Sequence, residues 1–400
     1  MLIGLPIPHS KPEASLATCY TPTEMLAKLV GFPTVSDQSN LDLIAFVESY
    51  LSDHGVASTR VYDDTKQKAA LFATVGPNVD GGVVLSAHTD VVPVEGQDWI
   101  SDPFDLRAAD GRLYGRGSAD MKGFAAATLA HVPHFLAANL KVPIHIALSY
   151  DEEVGCFGAP PMIARMLADG PRPAVVFVGE PTNMQVVTGH KGIIVLKTKI
   201  SGHAVHSSQL DRGVSAISVA AKLISWMDSR TAENLAQADP ECPFNPPYTT
   251  LHCGTIKGGN AHNITAGHCE FITDIRLLPN ESGAEWVQRY RKFINDSVLP
   301  GMKAISENCD IQVTEAANVP GLKPEANGAA ELMARQLTGD NATNVVVYAT
   351  EGGQFQEQDL STVVCGPGSI DQAHQPNEFI EAAELAKCSA MLDQLCAKLS

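Results

Sequence analysis

The segment GGVVLSAHTD, residues 81–90, starts with a short apolar run and ends with a histidine and an aspartate. Val83, Val84 and Leu85 read as a buried strand, because strands covered on both faces are continuous apolar runs rather than alternating ones. The polar end has two interpretations. His88 and Asp90 are either a polar strand end entering a loop, or a metal ligand followed by the residue that orients it.

Three further apolar segments alternate with helical segments in the first half of the chain. They are ALFATVG (70–76), KVPIHIALSYDEE (141–153) and AVVFVGEPT (174–182). This alternation predicts a doubly wound α/β domain, whose ligands bind at the carboxyl ends of the strands. Three of the four strands end in acidic or imidazole side chains, namely His88 with Asp90, the acidic run 151–153, and Glu180.

The pattern changes near residue 187. Residues 190–208 alternate between apolar and polar side chains, as a half-solvated antiparallel strand does. Two more alternating segments, 249–259 and 268–279, lie among two helical segments. We predict an α+β unit of four strands, three of them these segments, and two helices at 188–299, inserted into a discontinuous catalytic domain formed by residues 1–187 and 300–400.

The composition restricts the class of protein. The 400 residues are 44% hydrophobic, enough for a large core, and the net charge of −17 disfavours binding to nucleic acid or to an anionic membrane. Nine cysteines without a CxxC pair argue against a disulfide framework and favour a reducing compartment. The N-terminal residues lack the pattern of a signal peptide, and no apolar run reaches membrane-spanning length. We predict a cytoplasmic protein.

The polar residues at the strand ends are of the types that bind Zn²⁺, which takes imidazole nitrogen and carboxylate oxygen. The candidates are His88, Asp120, Glu152, Glu153, Glu180 and His374. Five of them, with one carboxylate shared, would give each of two ions three protein ligands. Each motif alone is weak, because a single histidine is more often structural, Asp120 can cap a helix, and an acidic run is usually solvated. Their joint placement favours the metal.

Several of these segments resemble a known family. Residues 86–104, 110–123, 149–159, 179–182 and 366–380 resemble the M20 branch of the dinuclear metallo-aminopeptidase and aminoacylase superfamily. The last segment, with GGNAHNIT (258–265) and HSSQLDRGVSAI (206–217), resembles the acetylornithine deacetylases within that branch. The similarity extends from about residue 20 to the C-terminus.

The resemblance implies roles for the metal candidates. His88 and Glu180 would bind one ion and Glu153 and His374 the other, with Asp120 as the bridging carboxylate and a cis peptide bond after it. Glu152 would be the general base. Neighbours in an extended segment point in opposite directions, so Glu153 can face the metal while Glu152 faces the substrate. The carboxylate of Asp90 would accept the second ring N–H of His88 and fix its tautomer.

The inserted unit would supply further contacts. By resemblance, His206 would donate to the tetrahedral oxyanion, with His203 as the rival, and a surface histidine is the structural alternative. Arg276 would hold the α-carboxylate of the substrate, unless it forms a structural salt bridge. Asn263 would be a second polar contact, unless it is only a turn residue. Glu351 would face the substrate ammonium, unless it caps a helix.

The predicted activity is that of a metal-dependent amidohydrolase that converts N2-acetyl-L-ornithine to L-ornithine and acetate in arginine biosynthesis. The resemblance implies two Zn²⁺ ions, for which Co²⁺ can substitute, a small N-acyl amino acid as substrate, and a homodimer formed through residues 188–299. One alternative is another M20 amidohydrolase, such as succinyl-diaminopimelate desuccinylase, an N-acyl-amino-acid deacylase or a dipeptidase. Another is a non-catalytic scaffold on the same fold, which would need neither the metal set nor Glu152.

Overall fold

A computed structural model describes residues 17–400 of the chain. Residues 1–16, on which the signal-peptide prediction rests, lie outside the described residues. The helices are α1 (Pro22–Val30), α2 (Leu41–Asp53), α3 (Lys122–Ala130), α4 (Val132–Ala137), α5 (Ala159–Asp169), α6 (Ala216–Ala236), α7 (Gly283–Phe293), α8 (Leu299–Lys303), α9 (Ala329–Thr338), α10 (Gly352–Gln356) and α11 (Ala382–Leu399).

The strands form three sheets. They are β1 (Ser58–Tyr62), β2 (Ala69–Val75), β3 (Gly82–His88), β4 (Arg107–Ala109), β5 (Arg112–Tyr114), β6 (Ile144–Ser149), β7 (Pro173–Pro181), β8 (Val187–His190), β9 (Gly192–Ser201), β10 (Thr250–Gly258), β11 (His268–Leu277), β12 (Asp310–Val319), β13 (Asn344–Val346), β14 (Ser361–Gly366) and β15 (Phe379–Glu381).

The large sheet has eight strands in the order β1-β2-β6-β3-β7-β14-β8-β13. Its four central strands, β6, β3, β7 and β14, are parallel. The strands β1 and β2 pair antiparallel with their neighbours, and β8 is antiparallel to β14 and parallel to β13. Every residue of β3 and of β6 is buried, as the continuous apolar runs predict. The predicted α/β class, with a separate and smaller antiparallel unit, is confirmed.

The small sheet contains the strands β10-β11-β9-β12, all antiparallel. A second core lies between this sheet and the helices α6 and α7. Its fourth strand is β12, which follows the predicted boundary at residue 299. The small-sheet unit therefore extends to about residue 319, and at its start β8 still belongs to the large sheet.

Residues 123–140 form two short helices rather than one. The helix α3 ends at Ala130, and α4 starts at Val132 with Pro133 in its first turn. Proline is tolerated in the first turn of a helix, whereas in the interior its ring clashes with the preceding turn. The chain therefore bends at His131.

The third sheet joins distant parts of the chain, because β15 pairs with β5 and β5 with β4. This pairing brings the segment before α3 beside the segment that precedes the C-terminal helix. Residues 379–381 form this strand directly before α11 begins. Among residues 17–400, no helix combines the length and apolar character needed to cross a membrane.

Candidate metal centre

The central parallel strands deliver acidic and imidazole side chains to one edge of the large sheet. His88 is the last residue of β3, and the register pairs it with Ser149, the last residue of β6. The acidic run 151–153 follows β6 directly, and Glu180 is the second-last residue of β7. The carboxyl ends of parallel strands meet at one sheet edge, so these side chains converge as the sequence predicts.

Asp120 lies between the two imidazoles. One of its carboxylate oxygens is 3.0 Å from Nε2 of His88, and the other is 3.5 Å from Nε2 of His374. Nε2 of His88 is also 3.8 Å from Oε1 of Glu180, and Nε2 of His374 is 2.9 Å from Oε2 of Glu153. The peptide bond that follows Asp120 is cis, as the resemblance implies.

Two groups of possible ligands therefore share Asp120. In the first group, His88, Asp120 and Glu180 each offer one atom, and all three atoms lie within 4.8 Å of one another. Asp120, Glu153 and His374 form the second group under the same limit. The structure thus brings together all five residues predicted to bind metal.

The donor set fits divalent cations. Nitrogen and carboxylate oxygen atoms suit Zn²⁺ and its neighbours in the first transition series. Oε1 of Glu180 is buried and, within residues 17–400, has no hydrogen-bond partner. A buried carboxylate oxygen without a partner is energetically costly, and a cation bound in the first group would satisfy it.

The pKa values of the candidate ligands are shifted because many negative charges lie close together at this edge of the sheet. Burial and the charge of Asp120 raise the pKa of Glu180 well above its usual value. Hydrogen bonds to Asp120 and Glu153 raise the pKa of His374 to about 10. Burial lowers the pKa of His88, but its hydrogen bond to Asp120 and the charges of nearby carboxylates together outweigh burial and raise it well above its usual value. The raised pKa values of both imidazoles show that the carboxylates favour positive charge at the nitrogen atoms that a cation would use.

The two adjacent glutamates diverge as predicted. Glu153 reaches His374, whereas Oε1 of Glu152 accepts a hydrogen bond from the thiol of Cys156 at 3.4 Å. Burial, followed by the charges of Glu153 and Asp120, raises the pKa of Glu152 well above its usual value. Glu152 is thus a carboxyl group beside the two ligand groups without being a member of either.

Asp90 has a different role from the predicted one. Nδ1 of His88 donates to the backbone carbonyl of Asp90 at 2.9 Å, and the carboxylate is farther away at 3.6 Å. The carboxylate instead accepts from the backbone N–H groups of Glu152 and Glu153, at 3.1 and 3.4 Å, and from the hydroxyl of Ser36 at 2.7 Å. The tautomer of His88 is therefore set by the backbone, because a carbonyl can only accept, and the carboxylate holds the acidic pair in place.

Glu351 is not placed as predicted. It is buried, with 1% of its surface exposed, and its carboxylate accepts from the hydroxyls of Ser86 at 3.1 Å and of Ser149. It occupies the position before α10, but its side chain makes no cap hydrogen bond. It therefore braces the ends of β3 and β6 from inside the fold, since both carboxylate oxygens are already bonded to these strands.

The carboxylate of Glu378 was missed by the sequence analysis. It accepts from the backbone N–H groups of Gly117, Ala119 and Asp120 at 2.9–3.1 Å and from Arg116 at 2.8 Å. It thereby holds the turn that carries Asp120. Its presence in the family-like segment 366–380 was the only signal, because no spacing rule reveals a side chain that binds a distant backbone.

Tyr348 was also missed. Burial, followed by the charges of Glu180 and Asp120, raises the pKa of its phenol. Tyr348 also lines a groove of about 310 Å³ together with residues from the loop after β7. No motif or spacing in residues 343–350 distinguishes Tyr348 from its neighbours in the sequence.

The candidates in the small-sheet unit lie apart from this centre. His206 is exposed, and its Nδ1 accepts from the backbone N–H of Ser208 at 3.3 Å, which leaves Nε2 as the donor in the neutral ring. The carbonyl of Asn263 accepts from Ser207 at 2.9 Å, so Asn263 is adjacent to His206. Within residues 17–400, no hydrogen bond or ion pair joins either residue to the ligand groups.

Arg276 is engaged by a neighbour on its own strand. Its Nε and Nη2 atoms donate to the two carboxylate oxygens of Asp274 at 2.9 and 3.1 Å. The side chains are both about one-third exposed. The structural salt bridge that was the alternative interpretation is thus present, and the forked geometry is the one a guanidinium uses for any carboxylate.

Comparisons with known proteins agree on a family. The model of the family described as peptidase family M20/M25/M40 matches residues 84–398. An acetylornithine deacetylase from Shigella sonnei is 35% identical over 370 residues, covering 90% of this chain and 92% of the relative.

Solved structures with low identity share the fold. A metallo-carboxypeptidase of the M20 family from Sulfolobus solfataricus superposes with a TM-score of 0.73 at 18% identity, covering 94% of this chain and 98% of that one. A dinuclear metal-binding peptidase of the M20 family from Bacillus subtilis has a TM-score of 0.61 at 14% identity, covering 94% of this chain and 97% of that one.

Proposed function

The chain belongs to peptidase family M20/M25/M40 and is a hydrolase of amide bonds, and from this premise we propose that it deacetylates N2-acetyl-L-ornithine to L-ornithine and acetate. The proposal of metal-dependent amide hydrolysis rests on one observation, the two groups of possible metal ligands that share Asp120. The substrate rests on the similarity to acetylornithine deacetylase over nine-tenths of the chain. The reaction would serve arginine biosynthesis.

Two Zn²⁺ ions are the proposed cofactors, and Co²⁺ is expected to substitute for them. His88, Asp120 and Glu180 would hold one ion, and Asp120, Glu153 and His374 the other. When bound, such ions act as Lewis acids toward an amide carbonyl and lower the pKa of water. The similar peptidase from Bacillus subtilis binds a dinuclear metal centre, which supports the number two.

Glu152 is the proposed proton carrier. Its carboxylate would take a proton from the attacking water as the water oxygen bonds to the acetyl carbon. It would then give that proton to the ornithine nitrogen as the C–N bond breaks, which yields acetic acid and the amine. The remaining proton of the acid passes to the amine or to solvent, so that the products are acetate and ornithine with a protonated amine. Its position beside both ligand groups, in neither of them, supports this role.

The small-sheet unit would bind the rest of the substrate. Nε2–H of His206 is the proposed donor to the developing oxyanion, and Asn263 a neighbouring polar contact. Arg276 would exchange the carboxylate of Asp274 for that of the substrate, since both fit the same fork. Glu351 is not among the proposed substrate contacts, because it is bonded to Ser86 and Ser149.

We further propose a cytoplasmic homodimer. Several large apolar side chains are exposed on or beside the small sheet, among them Ile256, Ile264 and Ile272. They would be covered by a two-fold interface formed by the small-sheet unit. All nine cysteines, which lie within the described residues, are free thiols, and this supports a reducing compartment.

A substrate panel tests the proposal. We expect kcat/KM for N2-acetyl-L-ornithine to exceed that for N-succinyl-diaminopimelate by at least about tenfold, equivalent to about 1.4 kcal/mol in the transition state. The α-amide of acetylornithine is the matched control, because it keeps the scissile bond and removes the carboxylate proposed to bind Arg276. Faster turnover of a succinyl substrate or a dipeptide would instead assign another M20 activity. Equal turnover of the α-amide would exclude the role of Arg276.

A further inference from the structure

A second cluster of metal-ligand side chains lies at the opposite end of α3 from Asp120, where α3 and α4 meet the C-terminal helix. His131 is at the bend between α3 and α4, His134 is in α4, and Asp393 is in α11. Each offers one atom, and these atoms lie within 4.8 Å of one another. The proposed hydrolysis uses none of the three.

The tautomer of His131 is fixed by the helix. Its Nδ1 is 2.7 Å from the backbone carbonyl of Ala127, and because a carbonyl can only accept, Nδ1 carries the proton. Nε2 of the neutral ring then has a free lone pair. This arrangement, with one ring nitrogen bonded to a carbonyl and the other free, is typical of histidines that bind metal.

The lone pair of His131 faces a carboxylate. Nε2 lies 3.5 Å from Oδ1 of Asp393, and Nδ1 of His134 lies 3.5 Å from the same oxygen. Two electron-pair acceptors then face each other, which is unfavourable unless a cation or proton lies between them.

The spacing is that of ligands around one ion. Zn–N and Zn–O bonds of about 2.0–2.1 Å at tetrahedral angles place neighbouring ligand atoms about 3.3 Å apart. The two separations from Asp393 are close to this value. His134 and Asp393 are largely exposed, so an ion can enter and can keep water as a fourth ligand.

Neighbouring contacts hold the two helices in position. The thiol of Cys396, one turn after Asp393, donates to the backbone carbonyl of His134 at 3.8 Å. The rings of His131 and His134 pack edge to face with their centroids 5.4 Å apart. The three side chains are therefore presented by a fixed α4–α11 contact rather than by a free loop.

We propose that His131, His134 and Asp393 form a further binding site for a divalent transition metal such as Zn²⁺, which joins the α3–α4 bend to the C-terminal helix. The ligand set of two nitrogens and one oxygen favours Zn²⁺, Ni²⁺ and Cu²⁺ over Mg²⁺ and Ca²⁺. Because the ion links segments separated by some 260 residues, binding stabilises the docked position of α11.

Equilibrium dialysis of the full chain against buffered Zn²⁺, followed by elemental analysis, tests this site. We expect wild-type protein to bind one equivalent more than His134→Ala or Asp393→Ala, or to bind that equivalent at least about tenfold more tightly. Both replaced side chains are largely exposed, so the variants should fold. His268→Ala removes an exposed histidine from the small sheet and should bind as wild type does.

A second measurement locates the effect. Amide hydrogen exchange in the last turns of α11 should slow when Zn²⁺ is added to the wild type and should not change in Asp393→Ala. Equal stoichiometry and equal affinity in all four proteins would overturn the proposal. The comparison is a difference between variants, so it holds whether the centre at Asp120 contains two ions or none, and it is independent of the substrate.

Discussion

The large and small sheets hold their candidate functional residues in opposite ways. At the edge of the large sheet, His88, Asp120 and Glu180 are at most 6% exposed and converge within one chain. In the small-sheet unit, His206 is exposed, and Arg276 is already paired with its neighbour Asp274. Desolvated carboxylates at short separation are energetically costly without cations. The geometry of the first region alone therefore indicates that it binds cations. The residues of the second region are exposed or already paired, so their geometry without a bound substrate or partner subunit does not indicate what they bind.

The largest expected effect tests whether the first region is complete in itself. Asp120→Ala removes the carboxylate shared by both ligand groups, so the protein should lose both ions or retain one weakly. Activity should fall by more than about 10⁴-fold, because activation of water and stabilisation of charge are lost together. Metal content and kcat measure the two effects.

The control for this variant comes from the small sheet. Glu270→Ala removes a carboxylate of β11 that pairs with Lys197 on the neighbouring strand. It should leave metal content and activity unchanged. If Asp120→Ala kept two tightly bound ions, the assignment of the bridging carboxylate would be wrong.

The next effect separates the two glutamates after β6. Glu152→Gln should keep both ions and near-native substrate binding, while kcat falls by roughly 10²–10⁴-fold because proton transfer is lost. Glu153→Gln removes a charged ligand, so metal affinity should decrease first and activity with it. Metal titration and kcat on both variants distinguish the roles. If Glu152→Gln lost metal and Glu153→Gln kept it, the two assignments would be exchanged. Full activity in both variants would mean that neither glutamate takes part in metal binding or catalysis.

The smallest of the three effects tests the open region. His206→Ala should lower kcat by about 10²–10³-fold, the typical loss for one oxyanion donor, without changing metal content. His203→Ala is the matched control and should have a smaller effect.

The same variant shows which chain His206 serves. If it acts on the centre of a partner subunit, mixing inactive His206→Ala with inactive Asp120→Ala should restore part of the activity through hybrid dimers. Absence of recovery, with subunit exchange demonstrated by a fluorescent label, would place the action of His206 within its own chain or remove it from the mechanism.

The sequence predicted the parts of the molecule that follow from periodicity. His88, Glu153 and Glu180 could be located because apolar runs end at them and parallel strands present their ends together. Asp120 and His374 were candidates by residue type, and the family resemblance assigned their roles, since neither ends a strand. The α/β class and the small antiparallel unit followed from the change of pattern near residue 187.

Other features were missed because their causes are tertiary. The strand β12 (DIQVTEAANV) alternates only over its first five residues, and an irregularity in its pairing between Glu315 and Ala317 breaks the pattern. The carboxylate of Asp90 was assigned to His88, but a backbone carbonyl is nearer, and only coordinates reveal that choice. Glu351 carried no sign that two serine hydroxyls from adjacent strands would bind it.

The contact of Glu378 with the turn before α3 has a consequence for biosynthesis. The turn that carries Asp120 is held by a side chain some 260 residues later, and β5 finds its partner β15 in the same late segment. A ribosome must therefore release nearly the whole chain before this turn is fixed and before His374 can join the second ligand group. Contacts of such long sequence separation form late in folding, because closing the intervening loop costs entropy first. During synthesis, most of the predicted metal-binding residues are therefore present before they can assemble. The metal centre is completed only after the C-terminal segment has been synthesised and has packed against the turn.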